Sequence, residues 1–144
     1  KLLLQDWAGA EKAYRQALKL DTNLVGAHLG LARVLLQHGK DGEAESHILT
    51  AEALEPDNLD VKSLLANVHL DRKEYQQACA LLTEVALARP DDPLVHLNLG
   101  AAYRAAGRLA EAEAAYRKAA ELDPRNAQAR DRLAEILRLM GRRK

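Results

Sequence analysis

The sequence predicts an all-α protein of stacked antiparallel helix pairs, and three observations predict it. Prolines recur at Pro56, Pro90 and Pro124, each inside a short polar stretch (LEPDN, ARPDD, LDPRN), 34 residues apart both times. Other columns keep the same period: Ala10, Ala44, Ala78 and Ala112; Ala17, Ala51, Val85 and Ala119; Leu31, Leu65, Leu99 and Leu133. A random arrangement would not bring several columns into one register, so the period belongs to the fold. Between the prolines, apolar residues return at offsets of three and four, the spacing of one helix face.

Placing the proline at the 32nd position of a 34-residue unit gives complete repeats at 25–58, 59–92 and 93–126. Residues 1–24 then supply mainly the second helix of a partial repeat, and residues 127–144 a first helix that belongs to a partial repeat or caps the stack. The whole of 1–144 reads as one domain. In the third repeat His96, Leu99, Gly100 and Tyr103 share a face, and Gly107 ends that helix because glycine tolerates positive φ. Leu109, Ala112, Tyr116 and Ala119 form the face of the next helix. It stops at Pro124, which lacks an amide donor and pushes Asp123 out of the helical region. Asn58, Asp92 and Asn126 stand at N-caps, where a short polar side chain accepts a hydrogen bond from an otherwise unpaired amide. Pro93 follows at the position where a missing N–H costs nothing. The small residues Ala32, Ala66, Gly100 and Ala134 allow close helix approach. In the last helix Leu133, Ile136, Leu137 and Met140 point inward, and Arg130, Asp131, Arg132, Glu135 and Arg138 form the solvated side.

Composition removes several classes of function. The chain has 144 residues, 48% of them hydrophobic, yet only 3% are aromatic and none is Phe. Such a core is built from Leu, Ala and Val, which suits thin layers of closely packed helices. Basic and acidic residues balance at 21 each, which argues against a nucleic-acid partner. No apolar run approaches the roughly 18 residues of a membrane span, so no membrane insertion is expected. KLLLQDW at the start is too short for a signal-peptide core. One cysteine, Cys79, excludes an internal disulfide and reads as a small hydrophobe. His28, His38, His47, His69 and His96 show no zinc-ligand spacing, so no metal or other cofactor is expected. The glycines do not cluster as a phosphate cradle, and carboxylates such as Asp91 and Asp92 suit caps better than acid–base work. The reading is therefore non-enzymatic. The excess of Ala, Leu and Arg over Lys has a bacterial character, and a soluble protein of undecided compartment is expected.

Residues 93–126 resemble the tetratricopeptide repeat at Leu99, Gly100, Tyr103, Ala112, Tyr116, Ala119 and Pro124, with His96 at the first large-residue place. Residues 25–58 resemble it at Leu31, Ala32, Ala44, Ala51 and Pro56, with Leu35 and Ile48 replacing aromatics. Residues 59–92 agree at Leu65, Ala66, Ala78 and Pro90 but carry Lys62 and His69 at places usually aromatic. The resemblance implies a right-handed superhelical solenoid of antiparallel helix pairs whose concave groove is lined by the first helix of each pair. It implies a groove formed by Leu29, Arg33, Leu36, Asn67, Leu70, Leu94, Leu97, Asn98, Ala101, Arg104, Arg132 and Arg138, beside Ser63, Asp71, Gln128, Asp131 and Glu135. One subclass grips a terminal carboxylate with a five-residue clamp. Asn67, Asn98 and Arg132 occupy three of its places, while Ser63 and Gln128 replace its lysines. The expected function is a scaffold binding a partner's peptide in this groove. The alternatives are assembly or self-association through the solenoid ends, and service as the repeat region of a larger enzyme.

Overall fold

The computed structural model describes residues 7–141, which form eight helices and, among the described residues, no strand. The stretch KLLLQD lies outside the described residues. In chain order the helices are α1 Trp7–Leu20, α2 Val25–Gln37, α3 Asp41–Leu54, α4 Leu59–Asp71, α5 Tyr75–Ala88, α6 Pro93–Ala105, α7 Leu109–Leu122 and α8 Ala127–Leu139. The chain divides into two compact units, residues 1–68 and 69–144.

Two kinds of turn alternate, and each has a local cause. Within a hairpin, the first helix ends on a positive-φ residue: Gly39 at 75°, Lys73 at 62° and Gly107 at 80°. The next amide then reaches back five residues, from Lys40 to the Leu35 carbonyl (2.9 Å), Glu74 to His69 (2.8 Å) and Arg108 to Tyr103 (2.9 Å). Together with the shorter bonds inside each turn, this pairs carbonyls that a helix end leaves open. Between hairpins, the proline takes the second position of a four-residue turn. Those turns close from Asn58 to Glu55 (3.1 Å), Asp92 to Arg89 (3.3 Å) and Asn126 to Asp123 (3.0 Å).

The predicted caps form. Asn58 Oδ1 accepts from the Asp60 and Val61 amides at 2.8 and 3.2 Å, Asp92 Oδ1 from Leu94 at 3.0 Å, and Asn126 Oδ1 from Ala129 at 3.1 Å. The turn before α2 lacks a proline and its Leu24 cannot cap. There Asp21 accepts from the Asn23 amide at 2.9 Å, and His28 Nε2–H donates to the Thr22 carbonyl at 2.8 Å. His96, 68 residues on, clasps the Pro90 carbonyl in the same way at 2.8 Å. Both histidines occupy the first large-residue place of their repeat, so the imidazole there ties a helix to its own preceding turn.

In the first unit α2 packs between α1 and α3. Leu31, Ala32, Leu35, Ala44, Ile48 and Ala51 are completely buried there. In the second unit α6 packs on α5 and α7, and α8 covers the other side of α7. Its core joins Leu97, Ala112, Tyr116, Ala119, Ala129 and Ile136, with Leu133 and Met140 partly buried against them. Ala32, Ala66 and Gly100 are buried as expected of close-approach residues, but Ala134 is exposed. Among the described residues no second helix follows α8 to cover it. Cys79 is buried, and burial pushes its thiol above the ordinary range, as befits a packed hydrophobe.

Candidate peptide-binding surface

The expected groove residues separate by burial. In the first unit Arg33 and Asn67 are exposed, Leu36 is half-buried, and Leu29 lies in the core at 5% exposure. In the second unit Leu70 is half-buried, Leu97 is a core residue at 6%, and Leu94, Asn98 and Ala101 are exposed on α6. Leu94, Asn98, Ala101 and Arg104 follow one another at offsets of four, three and three, a single stripe of helix surface. On α8, Gln128, Asp131, Arg132, Glu135 and Arg138 make the matching stripe, all exposed except half-buried Glu135.

The two stripes meet. Arg104 Nη2 on α6 donates to Glu135 Oε2 on α8 at 2.6 Å. Beneath lies Tyr116 of α7, 1% exposed, its ring against Gly100 so closely that a Cβ there would stand 2.7 Å from Cε1. The absence of a side chain at Gly100 therefore lets the tyrosine floor the surface between the two first helices. Burial pushes the Tyr116 phenol above its ordinary range; Arg132 and Arg104 pull it back, and Glu135 adds to the rise. Those are the charges its hydroxyl feels. Among the described residues neither that hydroxyl nor Arg104 Nε, both buried, has a hydrogen-bond partner. Arg132 forms no ion pair or hydrogen bond among the described residues.

One of these participants, Tyr116, was not expected at the surface. Tyr116 reads from the sequence as a core residue, and the structure buries its ring against Gly100 in the core shared with Ala129 and Ile136 of α8. Glu135 stands in the predicted solvated, groove-facing stripe, but its pairing with Arg104, 31 residues away, has no local pattern to signal it.

A second polar constellation lies in the first unit. His28 Nδ1 and His47 Nδ1 are 3.0 Å apart, and Glu43 stands 4.0 Å from His47 Nε2. Arg15 of α1 bridges Glu11 at 2.7 Å and Glu43 at 2.9 Å. Because the Thr22 carbonyl can only accept, His28 carries its proton on Nε2, and in the neutral pair His47 donates from Nδ1. The network ties α1, α2 and α3 together. Among the described residues no group of three metal-ligating side chains converges, and no helix is long and apolar enough to cross a membrane.

The tetratricopeptide repeat family matches residues 1–68 and again residues 63–127. The chain is 32% identical over 130 residues to the TPR repeat-containing thioredoxin TTL4 of Arabidopsis thaliana, covering 90% of this chain and 18% of that protein. It is 33% identical over 106 residues to cellulose synthase 1 operon protein C of Komagataeibacter xylinus, covering 72% of this chain and 8% of that one. The chain thus spans less than a fifth of either relative. Among solved structures, MamA from Desulfovibrio magneticus RS-1 superposes with a TM-score of 0.85 at 21% identity, covering 97% of this chain and 79% of that chain. At such identity the likeness concerns the fold.

Proposed function

The chain belongs to the tetratricopeptide repeat family, and from that premise we propose that it is a non-catalytic scaffold binding an extended peptide segment of a partner protein. The family's repeats generally mediate protein–protein interaction. The observation that carries the finer reading is the α6–α8 face, where two first helices join edge to edge through Arg104 and Glu135 over a buried floor. Leu94, 60% exposed, offers an apolar contact beside Asn98, whose amide both donates and accepts and so suits a peptide backbone. In the first unit, Arg33 and Asn67 present the same kind of mixed surface.

A peptide array with free and amidated C-termini tests this, run beside an Asn98→Ala/Arg132→Ala variant. Both substitutions fall on exposed positions, so the fold is expected to survive. Binding that weakens in the variant supports the reading. A folded protein that binds nothing across a broad array overturns it.

A second reading, assembly through α8, is favoured by one observation. Ala134 is exposed at the repeat place where Ala32, Ala66 and Gly100 are buried, and Leu139 nearby is 54% exposed. On that reading the protein associates with rising concentration in sedimentation velocity, and Ala134→Glu abolishes the association.

A further inference from the structure

We propose that the cluster of Arg104, Arg132, Glu135 and Tyr116 receives one acidic side chain of the bound peptide, with Glu135 holding Arg104 until that carboxylate arrives. This rests on the peptide-binding reading and names the chemistry of its anchor.

Charge is the first argument. Across the joined stripes three guanidinium groups, Arg104, Arg132 and Arg138, face two carboxylates, Asp131 and Glu135, so the face carries one positive charge in excess. Among the described residues Arg104 is the one of the three that is ion-paired, which leaves the exposed Arg132 and Arg138 open. A partner's carboxylate complements that excess, and a second basic group would meet repulsion.

Hydrogen-bonding capacity is the second and independent argument. A guanidinium offers Nε–H and Nη–H as a parallel fork to the two oxygens of a carboxylate. Glu135 engages Arg104 through Nη2 and Oε2 alone, and Arg104 Nε is left buried and, among the described residues, unpaired. The Tyr116 hydroxyl, in a residue 1% exposed, is a second donor that nothing among the described residues accepts. Buried donors without acceptors are unfavourable, and they lie next to the same charges. When Glu135 swings out to solvent, from which it is only half-buried, an incoming carboxylate completes the fork on Arg104, and its outer oxygen faces Arg132. Ala101, one turn before Arg104 on α6, flanks the site and favours an apolar residue beside the acidic one.

The test uses two blocked peptides with identical apolar flanks, acetylated and amidated, that differ only in a central Glu or Gln. A third peptide lacks the acid but ends in a free carboxylate. Affinity is read by titration, and location by the arginine Nε–H signals in 15N–1H spectra. The Glu peptide is expected to bind about tenfold tighter than the Gln peptide, the ratio that one charge-assisted hydrogen bond supplies. It is expected to shift the Arg104 and Arg132 signals. Glu135→Gln, which removes the competing carboxylate, should tighten the Glu peptide about threefold, an effect of the size typical of exposed ion pairs. Tyr116→Phe keeps the buried ring and should reduce the Glu-to-Gln ratio while leaving the Gln peptide unchanged.

Equal binding of the two blocked peptides overturns the proposal while leaving the groove a binding surface. Arginine signals that stay still with every peptide also overturn it. Tight binding by the free-carboxylate peptide alone would assign the site to a chain terminus and overturn the side-chain assignment.

Discussion

Lys73 occupies the repeat place held elsewhere by Gly39, Gly107 and Gly141, and it shares their left-handed backbone with φ of 62°. A side chain with a Cβ is strained there by roughly 1 kcal/mol, and glycine is not. The His69–Glu74 contact helps hold the turn: His69 Nδ1–H donates to the Glu74 carboxylate at 2.8 Å, while the Glu74 amide donates to the His69 carbonyl. Lys73→Gly is therefore expected to raise stability by about 0.5–1 kcal/mol, and Gly107→Ala to lower it by about as much. Urea denaturation of both variants checks this; a destabilised Lys73→Gly would show that the lysine side chain contributes more than its backbone strain costs. His47 provides a second residue-level prediction. Its basicity is lowered by burial first and by the charge of His28 next, while Glu43 opposes and Arg15 adds. A folded-state histidine that holds its proton less firmly than the unfolded one leaves stability intact at high pH. That stability is lost as pH falls below the unfolded value of about 6.5. The geometry agrees, since a doubly protonated pair would set two N–H groups against each other at 3.0 Å. Melting temperature should decline from pH 7 to 5, and His47→Gln should flatten the decline.

At the scale of the element, the sequence was legible wherever one residue acts on its own backbone. Proline turns, the Asn58, Asp92 and Asn126 caps and the Gly107 stop could all be read, because each depends on a local conformational preference. Contacts across elements were not legible to the same degree. Leu29 and Leu97 sit at the edge of the predicted groove stripe, and one step around the helix separates core from solvent; the structure buries both. His28 meets His47 because α2 packs on α3, and the equivalent of His47 in the other full repeats is Leu81 or Ala115. A contact that occurs in one repeat leaves no periodic trace. Gly100 shows what the element-scale packing demands. A methyl group there would press on the Tyr116 ring, which is fully enclosed and cannot retreat. Gly100→Ala is expected to destabilise by about 1–3 kcal/mol despite alanine's better helix propensity. Gly26, in the first turn of α2, has open space around it and no unusual φ. Gly26→Ala should stabilise by up to about 1 kcal/mol, and thermal melts of the two variants should move in opposite directions.

For the molecule as a whole, stacked repeats hold together through contacts between neighbours, so the stability of each helix follows from how many of its sides are covered. α7 is covered on two sides, by α6 and α8, and buries Ala112, Ala115, Tyr116 and Ala119. α1 packs against α2, and Leu18 is the one buried residue it contributes among those described. Its polar ties, Arg15 to Glu11 and Glu43, are half-exposed or exposed pairs, and such pairs contribute little against solvent. Helix α1 is therefore expected to open far below the free energy of global unfolding, while the amides of α7 exchange only when its whole unit opens. Native-state hydrogen exchange followed residue by residue measures both. Graded protection, lowest in α1 and highest in α7, is the result that neighbour-by-neighbour stability predicts. Equal protection in all eight helices would mean that the chain unfolds as one cooperative body, and local coverage would then no longer explain which part of the protein yields first.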